Sequence, residues 1–386
     1  MKTAFSAAAG FLLTAFLIWY VTEVPATYEW QLPASYPQPP VPVDNPMSET
    51  KVTLGRRLFY DRRLSVNGSF SCASCHRQSL AFTDGLARSV GATGELHPRS
   101  SMSLVNAAYA SRLTWANPLL DRLEFQALTP LFAEIPVEMG MSGRDEQIVE
   151  LLKADVHYRE LLPIAFPGDA DPFSLLNALR AIASFIRSIV SFDSPYDRFL
   201  HGDPSAMSKS ALRGLDLFFS EKIECFHCHG GYHFTDSSTH ADASVESVGF
   251  HNNGLYNIDG NGAYPPDNTG LFDVTGERRD MGRFKAPTLR NIAVTAPYMH
   301  DGSIATLQEV IRHYEAGGRL IEQGERAGDG RRNPYKSTFV KGFSLTDAER
   351  EDLLAFLNAL TDQTVLTDPV FADPFTVTEI PTGGPN

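Results

Sequence analysis

Cys72-Ala73-Ser74-Cys75-His76 and Cys225-Phe226-His227-Cys228-His229 are the two stretches on which the fold turns. Between them they hold all four cysteines of the 386-residue chain. Cys-x-x-Cys-His is the pattern of covalent haem attachment. Two thiols add across the haem vinyl groups, and the adjacent imidazole reaches the iron as proximal ligand. A four-cysteine zinc site would bring its two pairs within roughly 15–20 residues. Here Cys75 and Cys225 lie 150 positions apart. A thiol redox pair needs neither the histidine nor a second copy. The residues therefore specify two c-type haems, one on Cys72, Cys75 and His76 and one on Cys225, Cys228 and His229.

The flanks repeat as well. Gly55-Arg56-Arg57-Leu58-Phe59-Tyr60 precedes the first motif, and Gly214-Leu215-Asp216-Leu217-Phe218-Phe219 the second. Phe82-Thr83-Asp84 follows the first and Phe234-Thr235-Asp236 the second. Such a repeat implies a doubled unit, hence a mainly α fold of two cytochrome-c-like haem domains with long loops. Each haem is a large apolar plate around which helices can wrap.

Composition agrees. The chain is 43% hydrophobic and 20% charged, enough for two cores. It carries 33 basic and 46 acidic residues, a net charge of −13. That excludes a general nucleic-acid binder, which needs a basic face. Four cysteines are too few for a disulfide scaffold. Residues 1–26 read as a secretory signal: Lys2, an apolar run from Phe5 to Val21, then Val24-Pro25-Ala26. An uncleaved membrane anchor competes, since Ala4 to Val21 is near the minimal span. Either reading exports the rest, to the periplasm, where haem attachment takes place.

Residues 27–47 are proline-rich and read as a linker or a wrapping arm. Helical periodicity marks 174–190 behind a Ser174 N-cap, 208–220, a capping box at Thr306 and Glu309 leading through Tyr314 to Gly317-Gly318, and 344–360. The stretch 230–285 is mostly loop. These signals place the first haem domain at 48–200, the second at 201–365, and a surface tail at 366–386.

Over about 48–362 the chain resembles the bacterial di-haem cytochrome c peroxidases, and more narrowly their MauG-like branch. The resemblance rests on Leu54-Gly55 through Leu64-Ser65, Arg99 to Asn106, Pro136-Val137-Glu138-Met139-Gly140, Phe284-Lys285-Ala286-Pro287-Thr288-Leu289-Arg290-Asn291, and Thr295-Ala296-Pro297-Tyr298-Met299-His300-Asp301-Gly302. It implies that the N-terminal haem meets hydrogen peroxide and the C-terminal haem handles electrons. It casts His76 and His229 as proximal ligands, Trp115 as the relay between the haems, and Glu138 as the distal proton carrier. Pro130 matches a proline that crowds the distal side, with Pro136 as a rival because Pro130 stands farther from Glu138 than the family's usual spacing.

Two positions select the branch. True peroxidases cap the first iron with a loop histidine; the matching residue here is Ala92, and His97 does not align with it. The resemblance therefore implies an open first haem. Tyr314 stands where peroxidases carry a methionine on the second haem, and its helix face (Leu307, Val310, Ile311) turns it inward. A phenolate favours high-valent over ferrous iron. The resemblance further implies calcium between the domains, on the carbonyls of Thr295 and Pro297, with Ser100 in place of the usual asparagine. Ile223 replaces the tryptophan by which MauG passes holes to its substrate. MauG-like enzymes found beside methanobactin (copper-chelating peptide) genes are the most similar, on the 127–136 spacing and Trp30. Those oxidise a tryptophan on a copper-binding partner to kynurenine. The implied function is peroxide-driven formation of a high-valent di-haem state that oxidises a side chain on a periplasmic partner protein by long-range electron transfer. The alternative is a peroxidase reducing hydrogen peroxide with electrons from a small redox partner.

Overall fold

The computed structural model describes residues 28–376; the leader at 1–26 and the tail beyond 376 lie outside the described residues. Seven helices of nine or more residues run through the described chain: α1 (Glu49–Tyr60), α2 (Asp145–Ala154), α3 (Val156–Ala165), α4 (Leu175–Ser188), α5 (Lys209–Phe218), α6 (Leu307–Glu315) and α7 (Asp347–Asn358). Strand is confined to two antiparallel pairs of two-residue segments, Phe250–His251 with Phe284–Lys285 and Leu320–Ile321 with Gly328–Asp329.

The helices start where their side chains can satisfy the free N–H groups of the first turn. The Ser174 hydroxyl accepts from the Asn177 N–H and opens α4. Thr306 with Glu309 and Thr346 with Glu349 form reciprocal capping boxes on α6 and α7. Gly317, at φ 70°, ends α6, because a left-handed residue cannot continue a right-handed helix.

The repeat is physical. In the first half α1 packs across α4, and in the second α5 packs across α7. Both crossings are closed by a glycine. A Cβ on Gly55 would lie 1.8 Å from the Ala181 carbonyl oxygen, and one on Gly214 1.9 Å from that of Asp352. Around each crossing sits a phenylalanine-rich core, with Phe59, Phe82 and Phe185 in the first and Phe218, Phe234 and Phe356 in the second. Burying each such ring stabilises the fold by about 1.5–3 kcal/mol.

Two segments tie the halves together. The proline-rich segment is a wrapping arm. Tyr36 stacks on Phe192 at 4.2 Å and donates to Asp197, Pro37 accepts from the Tyr109 hydroxyl, and Asn45 donates to Glu124. Asp197 also holds Arg290 at 2.9 Å, with both side chains fully buried. The second segment departs from the expected surface tail. Residues 363–367 form a short helix, Phe371 packs on the first core, and the carbonyls of Pro369, Val370 and Phe371 accept from Arg56 and Tyr60 of α1. The chain thus returns from the second half to cover the first. Short periodicity hid this, because backbone carbonyls rather than an apolar stripe make the contact. Among the described residues no helix is long and apolar enough to cross a membrane.

Since neither glycine has room for a methyl group, Gly55→Ala and Gly214→Ala are each expected to destabilise the haem-loaded protein by about 1–3 kcal/mol. Thermal unfolding followed by far-UV circular dichroism checks this.

Candidate functional site

Each Cys-x-x-Cys-His stretch is one tight turn. The His76 N–H closes onto the Cys72 carbonyl at 3.0 Å, and the His229 N–H onto that of Cys225 at the same distance. This brings two thiols and one imidazole to one place in each half. His76 Nδ1 lies 2.8 Å from the Phe82 carbonyl oxygen, and His229 Nδ1 3.1 Å from that of Phe234. With Nδ1–H donating, Nε2 is left bare for a metal. Burial lowers both imidazoles below the ordinary histidine range, which keeps them in the neutral, ligating form. Phe82 and Phe234 reach these carbonyl positions at φ 59° and 51°, a left-handed conformation that neither would take without a reason. The four thiols form no disulfide. This donor set fits two covalently held haems, with iron on His76 and His229.

A cavity of ≈ 490 Å³ opens over the first site and runs between the halves. Cys72, Cys75, His76, Pro130, Pro136 and Glu138 line it, as do Trp115, Ser100, Thr295 and Pro297. Both candidate prolines face the same space, so the lining does not separate them. Burial alone raises the Glu138 carboxyl to about 7. Among the described residues its side chain accepts no hydrogen bond, so it is free to carry a proton. Ala92 is buried, with its N–H on the Glu138 carbonyl, and a Cβ on Gly91 would sit 1.9 Å from the Val137 carbonyl oxygen. The loop is thus pressed onto the segment that carries Glu138.

Two lining residues were not selected from the sequence. His97, set aside because it does not align with the capping position, enters the cavity from another point of the loop. Its Nε2 lies 3.8 Å from Glu138 Oε1. Gln126 also lines the cavity, and its buried Oε1 has no hydrogen-bond partner. Only spacing could have flagged it, four residues before Pro130.

Trp115 sits where the halves meet. Its indole N–H donates to the Ser100 carbonyl at 2.9 Å, and its own carbonyl accepts from the Lys285 N–H at 2.8 Å. Ser100 thereby spends its carbonyl on Trp115, and its hydroxyl donates to the Met299 carbonyl. The Thr295 and Pro297 carbonyls accept no hydrogen bond among the described residues.

At the second site Tyr314 lies near Cys225 and Cys228, and Asn253 beside it donates its Nδ2–H to Met299 Sδ at 3.2 Å. Burial pushes the Tyr314 phenol up to about 12. Its helix turns it toward the Cys225–His229 turn, as the face of Leu307 and Ile311 requires; Leu307 and Ile311 are buried in the second core. Ile223 is 4% exposed in that core and offers no route outward.

Comparison with known proteins follows this geometry. The sequence pattern of the di-haem cytochrome c peroxidases matches residues 49–205. The chain is 38% identical to the methylamine utilization protein MauG of Methylorubrum extorquens, over 83% of this chain and 81% of that one. It is 35% identical to the cytochrome-c peroxidase IdrP1 of Denitromonas iodatirespirans, over 89% of each. It is 51% identical to a crystal structure of a MauG-like protein associated with microbial copper homeostasis, covering 90% of this chain and all of that one, with a TM-score of 0.89.

Because burial holds the Glu138 carboxyl near 7, the fraction able to take up a proton grows as pH rises through that value. Reaction of the haem-loaded protein with hydrogen peroxide is expected to accelerate across pH 7 in step. Glu138→Gln is expected to slow it by about 10²–10⁴-fold and to flatten the profile. Rapid-mixing absorbance spectroscopy measures both.

Proposed function

The chain belongs to the di-haem cytochrome c peroxidase family, and on that footing we propose that it uses hydrogen peroxide to oxidise a side chain on a partner protein at a distance. It is a di-haem oxidoreductase with homologues named both MauG and cytochrome-c peroxidase. When bound, the two haems supply redox centres that take the two oxidising equivalents of peroxide and release them singly. The chain's own residues do the rest. His76 and His229 hold the irons. Glu138 takes a proton from the near peroxide oxygen and returns it to the far one, so that water leaves. Pro130 crowds that side. Trp115, bridging the halves through Ser100 and Lys285, relays electrons between the two sites.

The observation that carries this reading is Tyr314. A phenol placed against the Cys225–Cys228 turn offers an anionic oxygen to ferric iron, which suits storage of oxidising equivalents and not delivery of electrons from a weak donor. Likeness to a MauG-like protein associated with copper homeostasis supports a copper-binding partner, and the resemblance to methanobactin-associated enzymes suggests tryptophan-to-kynurenine conversion on it. Tryptophan becomes N-formylkynurenine by gaining two oxygen atoms. That consumes two peroxides and releases two waters, and hydrolysis then removes formate. We place the reaction in the periplasm, reached through the leader at 1–26. We assign a calcium ion to the carbonyls of Thr295 and Pro297 beside Ser100; hard oxygen donors suit it. The likeness to cytochrome-c peroxidases supports a second reading, reduction of peroxide by a small redox protein.

Two experiments decide. Incubating the haem-loaded protein with peroxide and its candidate copper-binding partner is expected to leave kynurenine in a partner peptide, read by mass spectrometry, at two peroxides per tryptophan. Rapid turnover with a reduced cytochrome and an unmodified partner selects the second reading. Tyr314→Met is expected to raise the second haem's reduction potential in an optical redox titration; an unchanged spectrum means that Tyr314 is not a ligand.

A further inference from the structure

Reduction of hydrogen peroxide to two waters takes two electrons and two protons. Whatever supplies the electrons, the protons must come from solvent and reach Glu138, which lines a cavity and is surrounded by apolar Val137 and Met139. His97 is placed to supply them. Its Nε2 is 3.8 Å from Glu138 Oε1, and the two side chains keep 31% and 29% of their surface exposed on the same cavity. The ring orientation is fixed by the backbone. His97 Nδ1 lies 3.1 Å from the Arg99 N–H, from which it can accept, and 3.2 Å from the Arg99 carbonyl oxygen, to which the imidazolium can donate; the His97 N–H is held by the Ser89 carbonyl at 2.8 Å. With Nδ1 accepting, a neutral His97 carries its proton on Nε2, the nitrogen that faces Glu138. Arg88 clamps the other side by donating to the His97 carbonyl at 2.8 Å.

We propose that His97 is the positioning and proton-exchange partner of Glu138, closing the 3.8 Å gap to donate Nε2–H to its carboxylate and passing protons between that carboxylate and solvent. This rests on the peroxide chemistry proposed above and adds a second residue to the distal side.

The charged surroundings are compatible with exchange in either direction. Arg88 and Arg99 disfavour the imidazolium while Asp84 favours it, and burial lowers His97 below the ordinary range. Around Glu138 the ionisable neighbours are His97 and the Cys72 and Cys75 thiols, which haem attachment converts to neutral thioethers; Glu95 is engaged with the Val137 N–H.

The test uses the ferric haem-loaded protein and fluoride, which binds an open haem with uptake of a proton on the distal side. In the wild type, fluoride affinity should fall with pH from a break set by the pair. Removing the donor in His97→Phe destabilises the carboxylate, so the break should move up by about one pH unit. Steady-state peroxide consumption should fall about tenfold or more. His97→Gln, which keeps an N–H donor but cannot titrate, should restore the break and leave turnover slow. If His97→Phe does not fold, the slow turnover of His97→Gln decides alone. Unchanged break and turnover in the variants overturn the proposal. So does loss of a six-coordinate signal at the first haem, which would make His97 an iron ligand. A wild type that binds fluoride with the expected break but ignores peroxide would instead overturn the peroxide reading and leave the pair standing.

Discussion

Both halves depend on one hydrogen bond made twice, from a proximal histidine Nδ1 to a phenylalanine carbonyl. A histidine next to a Cys-x-x-Cys turn is free to rotate. It presents Nε2 to iron only if Nδ1 is anchored. Phe82 and Phe234 supply the anchor from a left-handed backbone, and their rings are fully buried against Phe59 and Phe218. The core therefore holds the carbonyl that holds the ligand. This explains why Phe-Thr-Asp recurs after each motif. The aromatic ring fixes the backbone, and the backbone fixes the imidazole.

Much of this was legible in the sequence because it is local. Two pentapeptide motifs, their repeated flanks and the Ser174 and Thr306–Glu309 capping signals are short-range patterns, and the corresponding turns and helices form where they were expected. What was not legible is long-range. The return of residues 363–371 to α1 is made through main-chain carbonyls, which any sequence offers equally. Gln126 and His97 gain meaning only once separate loops are pressed together. His97 was judged by alignment to a position five residues away, whereas the relevant variable is the loop's path past Val137. The tight Gly91 contact sets that path.

The halves are held as one unit by groups that would be unfavourable alone. Arg290 and Asp197 are both fully buried, a combination that water would ordinarily prevent. Tyr36 donates to the carboxylate, the Tyr232 carbonyl takes two guanidinium N–H groups, and Phe192 lies under the cation at 4.5 Å. The arm, the linker helix after Ser194 and the second half all meet there. The inter-half cavity passes this network, since Arg290, Lys285 and Trp115 all line it. Rigidity at that junction keeps the separation of the two haem turns constant, and electron transfer falls steeply with separation.

The two sites use burial in opposite ways. At the first, burial raises Glu138 to about 7, so the carboxyl is poised to gain or lose a proton near neutral pH with no cation nearby to bias it. At the second, burial pushes the Tyr314 phenol to about 12, so by itself it stays protonated. A ferric ion is the one charge of sufficient size to draw that proton off, just as bound metals invert the acidity of their ligands. As the proposed ligand, Tyr314 would supply a phenolate to the second haem, and an anionic oxygen favours the higher oxidation states of iron. The same fold thus sets two buried acids of different strength beside its two haem-attachment turns, a carboxyl at the first and a phenol at the second.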